Sequence, residues 1–600
     1  MTLYKIRVYP DGIEGLVEAE TSLLNALERL GVRLETLCGG AGWCGQCLVK
    51  AKGHLSEVSP VETDLISEDK LKEGYRLACQ TYIKGDVDVE IPSQTRTYAH
   101  RILTTGIKTE DLRINPAVKS YNINLSPPSL DDQRSDLDRI EEAIGFKLEI
   151  PGINMLKDIP EILRENAFNI EVISYYKSLL EIRRPENKSI YGVAIDIGTT
   201  TVVVYLLDLR KGEIDVISAM NPQAKRGADV ISRIDYAAKG GLEELQTSIV
   251  EEINSLIDQL CDRQGIENRD IYDVAVVGNT TMMHLFLGIS PRYIAVSPYI
   301  PVFTKSLMVR ASEIGIDINP NGICYILPNI AGYIGADTVG MILATGLYKE
   351  DGVRLALDIG TNGEMVLKDG DKIFSCSTAA GPAFEGANIT YGMRGSRGAI
   401  DHVNIDDGHI IVHVIDDMEP VGICGSGLLD AVAVMLELGL LDETGRIIKP
   451  GGSLFESLVR EKNNGLEFLL EAHNKKIPIN QRDIRELQLA KGAIRSGIET
   501  LLEEAGRTYS DIETIYLAGA FGTYLDPESA IKIGLLPSVP LNKVYSVGNA
   551  AGEGAKLALI DIDFREIAEN ISRKVQYIEL SSRSDFQDKF MDSLYFEVVR

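Results

Sequence analysis

The residues best placed to do chemistry are cysteines and aspartates at telling spacings. Cys38, Cys44 and Cys47 share one glycine-rich loop, Cys38-Gly-Gly-Ala-Gly-Trp-Cys44-Gly-Gln-Cys47, and Cys79 follows in the distant segment Arg76-Leu77-Ala78-Cys79-Gln80. Three thiolates from one loop and a fourth from elsewhere suit a [2Fe-2S] cluster, because glycines let the backbone wrap the inorganic core and present amides to its sulfurs. Structural zinc is the rival reading. It prefers two Cys-x-x-Cys-like pairs, and only Cys44 and Cys47 are so spaced. Trp43, the only tryptophan, lies inside the loop and is expected to report cluster loading by fluorescence. Cys261, Cys324, Cys376 and Cys424 are scattered at intervals of 63, 52 and 48 and read as buried thiols.

The aspartates lie in a stretch that occurs twice. Asp196-Ile197-Gly198-Thr199-Thr200-Thr201 is echoed by Asp358-Ile359-Gly360-Thr361-Asn362-Gly363, and a shift of 162 positions gives six identities over the eleven residues from Ala194 to Val204. Each copy is an apolar run ending in Asp-x-Gly-Thr and followed by a second apolar run, which predicts a hairpin. The glycine is expected to take backbone angles closed to other residues, with its amide and the threonine hydroxyls facing a phosphate oxygen. An aspartate has the wrong charge for a phosphate, so beside one it is best explained as holding Mg2+ through water. Two such hairpins facing each other would clamp a nucleotide. Asp229 and Glu385 are candidates for orienting a water or hydroxyl against the terminal phosphate, with a helix cap or hinge contact as the alternative for each. Asn279 and Thr280 close a strand near the expected cleft, and His284 reads as a core histidine. The chain holds no Gly-Lys dipeptide, which excludes a Walker-type loop.

Positioning these groups takes several folding units, and 600 residues suggest three or four. Hydrophobic content of 44% with 25% charge is that of a globular protein. A formal charge of -27 disfavours a grip on nucleic-acid backbones or anionic membranes. The first twelve residues lack an apolar signal core and no run of about 18 apolar residues occurs, so the expected location is the cytoplasm. In the first module, residues 4–9 and 15–20 pattern as strands, 22–30 as a helix capped by Thr21 or Ser22, and 85–91 as a closing strand. Residues 94–124 are read as a linker and 125–187 as a small α/β middle domain. Residues 188–600 hold the duplicated hairpins, with long helices near 242–264 and 484–504.

Residues 1–93 resemble [2Fe-2S] ferredoxins, the loop spacing being closer to the adrenodoxin-like pattern than to the plant type, and this implies a β-grasp fold with Cys38, Cys44, Cys47 and Cys79 as iron ligands. The order hairpin, helix, strand, glycine turn, repeated twice, resembles the superfamily of acetate and sugar kinases, heat-shock chaperones and actin. The implied class is α/β multidomain: a ferredoxin, a small middle domain and an actin-like (ribonuclease H-like) ATPase domain in two lobes. By that resemblance Asp196 to Thr201 form the first phosphate motif and Asp358 to Glu364 the second. Gly519 and Gly522 match the adenosine motif, and ATP is the implied cofactor.

The whole chain resembles the reductive activators of corrinoid proteins from anaerobic methyl-transfer metabolism, through these modules and the stretches Val277-Gly278-Asn279-Thr280-Thr281-Met282 and Ile423-Cys424-Gly425-Ser426-Gly427-Leu428. The resemblance implies ATP-dependent reduction of Co(II) to Co(I) on a corrinoid iron-sulfur protein or a methyltransferase corrinoid subunit, fed by a low-potential electron donor. A homodimer is allowed for. It departs from relatives with C-terminal cysteine clusters, since no cysteine follows Cys424. The rival functions are a small-molecule kinase with a fused redox domain, an activator of a radical dehydratase, and a non-catalytic scaffold or chaperone.

Overall fold

A computed structural model of the chain describes residues 3–9, 13–30, 32, 34, 47–66, 68–91, 113–186, 188–227, 229–406, 408–449, 455–462 and 465–596. The alternating N-terminal pattern forms a five-stranded sheet in the order Ile13–Glu18, Leu3–Tyr9, Ile83–Glu90, Leu48–Leu55, Tyr75–Leu77. Leu3–Tyr9 and Ile83–Glu90 run parallel and the other pairs antiparallel, which with the helix Leu23–Arg29 makes a β-grasp. The helix begins where Ser22 Oγ accepts from the Asn25 amide, and it buries Leu23, Ala26 and Leu27 under the sheet. Cys38, Trp43 and Cys44 lie outside the described residues.

The expected linker needs correction at its C-terminal end. Residues 94–112 are outside the described residues, but Val118–Asn124 is a strand, paired antiparallel with Asn169–Tyr175, which pairs in turn with Ser178–Arg183. Its polar alternation is that of a half-exposed edge strand, a pattern whose composition does not distinguish it from the linker expected over 94–124. The helix Asp136–Ile144, capped by Ser135 and closed by Gly145, packs on this sheet together with Ile159–Glu165. Arg565 joins this unit to the first lobe, where it donates to Asp273 Oδ2 at 2.6 Å and to the Tyr175 hydroxyl.

The duplication is visible as topology. The first lobe has the strand order Gly212–Met220, Thr201–Asp208, Tyr191–Ile197, Ile271–Gly278, Ile323–Ile326. The second has Lys372–Thr378, Gly363–Asp369, Val353–Ile359, Ile512–Ala518, Val544–Gly548. In each, three antiparallel strands are followed by two parallel ones, and a long helix, Leu242–Gln264 or Gln481–Ala505, makes the crossover. Each sheet carries a further edge strand, Leu307–Arg310 or Val575–Tyr577. Among the described residues no helix is long and apolar enough to cross a membrane.

Two helices tie the lobes together. Ala336–Thr345 leads from the first lobe to the second, and Ala550–Ile560 leaves the second sheet to lie against Tyr191–Ile197 and Ile271–Gly278 of the first. They cross at glycines: a Cβ on Gly554 would stand 2.2 Å from the Gly340 carbonyl oxygen, and one on Gly340 would stand 2.7 Å from that of Ala551. Because backbone faces backbone, a side chain here has nowhere to go. Gly554→Val is expected to destabilise the protein by about 1–3 kcal/mol, read as a lower denaturation midpoint; an unchanged midpoint would mean the crossing is loose.

Candidate nucleotide and iron-sulfur sites

The two hairpins face one cleft. Asp196 ends the strand Tyr191–Ile197 and Asp358 the strand Val353–Ile359, and both lie near Asp337, in the first turn of the helix Ala336–Thr345. Glu364 stands directly across the hairpin from Asp358, so four carboxylates share the cleft floor. Burial is the first cause that raises all four. It takes Asp196 to about 7 and Asp358 to about 6, and the neighbouring carboxylates push Asp196, Asp337 and Glu364 further upward. Opposing this at Asp196 is Asn549, whose Nδ2 donates to Oδ2 at 2.8 Å.

The donor chemistry fits a cation. Among the described residues none of the four carboxylates is paired with Lys or Arg, and no three His, Cys, Asp or Glu side chains converge tightly enough to ligate a metal directly. Half-buried carboxylates spaced too widely for direct ligation match an ion held through its own water shell. The sign of the pH effect follows. Acids raised in the folded state bind protons more tightly than in the unfolded chain, so the stability that these two contribute in the ligand-free protein is fully present below the unfolded value of 3.8 and is lost as pH rises through about 6 to 7. Thermal scans are expected to show this decline without ligand. Magnesium nucleotide should raise the midpoint more at pH about 8 than about 6, and equal gains would disconnect the cation from these acids.

Each hairpin is braced from behind. Asn221 Nδ2 donates to the Gly198 carbonyl at 2.8 Å, and Asn279 Nδ2 to Thr199 Oγ1 at 3.1 Å while Asn279 also caps the helix Thr280–Phe286. On the other side Thr361 Oγ1 donates to Glu385 Oε1 at 2.6 Å, which places Glu385 beside the second motif. The reason for the glycines differs from the expectation. Neither Gly198 nor Gly360 has a positive φ, and their N–H groups are used within the turns, donating to Thr201 and Asn362 carbonyls at 2.9 and 2.8 Å. Gly198 is needed for space, since a Cβ would lie 2.8 Å from the Thr201 carbonyl. The Gly198 and Gly360 amides are therefore not available to a phosphate.

Gly519 does need its conformation. At φ +79° it ends the strand Ile512–Ala518, and a Cβ there would lie 2.2 Å from Asp358 Oδ1. Gly522 follows one helical turn on, in Gly519–Tyr524. Asp229 is not brought into the cleft floor: it is exposed, and its Oδ1 accepts from the Ser232 amide at 2.7 Å as the N-cap of Val230–Tyr236. His284 is a satisfied core residue, with Nδ1 2.7 Å from the Thr280 carbonyl oxygen and Nε2 accepting from the Val302 amide. Sequence reasoning took Glu364 only as the end of the second motif and passed over Asp337 and Asn549. The last had a signal, because Val547-Gly548-Asn549 repeats Val277-Gly278-Asn279.

At the iron-sulfur module, Cys47 precedes the strand Leu48–Leu55, Cys79 follows Tyr75–Leu77, and the pairing of Leu48 with Leu77 brings the two thiols together. The Cys79 amide donates to Cys47 Sγ at 3.4 Å and Gln80 Nε2 lies 3.6 Å from Cys79 Sγ. The Cys47 contact is the main cause that lowers the Cys79 thiol to about 7, toward the thiolate that iron takes. Fully buried Glu62 accepts from Arg76, the Leu77 amide and Thr81 Oγ1, so one carboxylate pins the segment carrying Cys79. These thiols and amide donors fit one wall of a [2Fe-2S] site.

A β-grasp iron-sulfur module on a two-lobed actin-like domain defines an ASKHA-type ATPase fused to a ferredoxin. Family descriptions agree: a 2Fe-2S iron-sulfur cluster binding domain matches residues 8–84, the RACo linker region 107–189, the RACo middle region 191–350, and the C-terminal, ASKHA domain of RACo 352–599. The chain belongs to the RACo family, the reductive activators of corrinoid proteins. The corrinoid activation enzyme RamQ of Eubacterium limosum is 35% identical over 598 residues, 97% of each chain. The [Co(II) methylated amine-specific corrinoid protein] reductase of Methanosarcina barkeri is 31% identical over 428 residues, covering 66% of this chain and 72% of its own. The solved structure of a reductive activator for corrinoid, iron-sulfur protein is 38% identical and covers 100% of this chain and 99% of its own, with a TM-score of 0.74. In the family's terms the small unit after the ferredoxin is the linker region and the first lobe is the middle region.

Proposed function

We infer that this chain reductively activates a corrinoid protein, with nucleotide held between the lobes of the ASKHA domain driving the transfer. The observation that carries the reading is full-length likeness, module for module, to an enzyme named for corrinoid activation. One electron moves: cobalt in the partner gains it and passes from Co(II) to Co(I), and the iron-sulfur module loses it and is refilled by a low-potential donor. Cys38, Cys44, Cys47 and Cys79 would hold the cluster, which when bound stores and releases single electrons. Asp196 and Asp358, helped by Asp337 and Glu364, would hold Mg2+ through water. The threonines of the hairpins would hold the phosphates, Gly519 and Gly522 would flank the adenosine, and Glu385 would orient the attacking water.

Nucleotide is needed because a one-electron equilibrium shifts tenfold for about 59 mV, so a cobalt couple roughly 200 mV below the cluster would be reduced at a disadvantage of about three orders of magnitude. Gripping the corrinoid protein so that an axial cobalt ligand leaves would close that gap, and hydrolysis would reset the grip. We assign the reaction to the cytoplasm. Anaerobic spectroscopy of a candidate corrinoid protein mixed with this chain, a reductant and ATP tests it. The Co(I) band is expected to grow faster and further with ATP, and a rate and extent indifferent to ATP would overturn the coupling.

A further inference from the structure

Among the described residues no carboxylate is in contact with the buried cation Arg233. Its side chain is 0% exposed, and its partners are all uncharged: Nε donates to the Gly227 carbonyl at 2.9 Å, Nη1 approaches Gln223 Oε1 at 3.3 Å and Met282 Sδ at 3.2 Å, and Nη2 donates to the Thr199 carbonyl. The other buried arginines among the described residues each have a carboxylate: Arg76 with Glu62 at 2.9 Å, Arg139 with Asp132 at 2.6 Å, Arg495 with Glu499 at 3.1 Å and Arg565 with Asp273 at 2.6 Å. Of the acids near it in sequence, Asp229 is exposed and occupied as the cap of the same helix, from where its charge acts on Arg233 only through space, and Asp235 pairs with Lys239 at 2.6 Å. Desolvation accordingly weakens the guanidinium's hold on its proton, down to about 10. An ion buried in this way is retained at a cost unless something outside the chain supplies the opposite charge.

The location says what that is. Thr199 belongs to the first phosphate motif, and its carbonyl is the one Arg233 grips while Asn279 holds its hydroxyl. A trans peptide points its C=O and N–H in opposite directions, so a carbonyl turned back to Arg233 turns the Thr200 N–H away from it. A cation on the carbonyl also polarises that peptide and makes its N–H a better donor. The Asp229 capping box and the run Val230-Ile231-Ser232-Arg233-Ile234 thus have a joint purpose: they seat a guanidinium directly behind the loop.

Resting on the nucleotide reading above, we propose that Arg233 is a positioning residue for the nucleotide's phosphates, aiming the Thr199–Thr200 peptide at the anion and taking that anion as its counter-ion. Calorimetric binding of magnesium ATP, ADP and AMP to the full-length wild type, Arg233→Met and Arg233→Lys tests it. Arg233→Met is expected to weaken ATP by about tenfold or more, ADP by less and AMP least. Arg233→Lys, which keeps the charge and loses the fork, should restore the graded order at intermediate affinity. A partly unfolded variant lowers the binding stoichiometry but leaves the ratio between nucleotides intact, so the gradient reports charge and not scaffold. Equal weakening of all three, or an unchanged ATP affinity, overturns the role of Arg233 alone; a wild type that binds none of them removes the nucleotide reading and this inference together.

Discussion

Asp358→Asn is expected to lower ATP-dependent Co(I) formation by about a hundredfold or more while leaving the iron-sulfur spectrum unchanged. Asp358 is closely held in the cleft: its Oδ1 occupies the space that a side chain on Gly519 would take, and Glu364 faces it across the hairpin. Asparagine has nearly the same shape, so the hairpin and the Gly519 contact should survive. What disappears is the negative charge that would fix hydrated magnesium against the phosphates. In the absence of ligand the variant should be at least as stable as wild type near neutral pH, because it removes an acid whose ionisation the fold opposes. Loss of activity with retained or raised stability separates a metal-positioning role from a packing role. Undiminished ATP dependence in the Co(I) assay would show that Asp358 has no part in it.

Cys79→Ala is expected to abolish electron delivery at any ATP concentration. Cys79 is the proposed ligand from the second chain segment, and Glu62 and the Leu48 to Leu77 pairing hold it beside Cys47. On the proposed assignment the cluster would lose its one ligand from outside the 38–47 loop, and iron and sulfide content after anaerobic reconstitution should fall to background. Nucleotide binding should be untouched, because the module's core, centred on Ile6, Leu27, Leu77 and Val89, is separate from those of the two lobes. Calorimetry and metal analysis on one preparation decide it: a full complement of iron, or lost nucleotide binding, would contradict the division of labour.

The phosphate hairpins could be read from sequence because the same eleven-residue pattern occurs twice and local pairing alone makes a hairpin of it. Their facing across one cleft followed from the duplication. Asp337 could not be found in this way, since it becomes part of the site only when a helix leaving the first lobe passes Asp358 of the second. Asp229 looked catalytic because an acid in a polar segment before a helix serves equally as a cap, and only the Ser232 contact decides. The reason given for the glycine of Asp-x-Gly-Thr does not hold: in Gly198 proximity to Thr201 excludes a side chain, whereas the backbone angles do not. The edge strand Val118–Asn124 escaped notice because half its residues face solvent, so its composition matches that of a tether.

The glycine crossing of Ala336–Thr345 with Ala550–Ile560 is the point about which one lobe would turn on the other. One helix carries Asp337 in its first turn, and the other starts at Asn549, which holds Asp196. A swivel of one rod over the other would shift Asp337 relative to Asn549 and Asp196, and with them any cation that the cleft carboxylates would hold. Strain applied where a partner protein leans on either lobe would reach the phosphates along these two rods, with no need for the partner to enter the cleft.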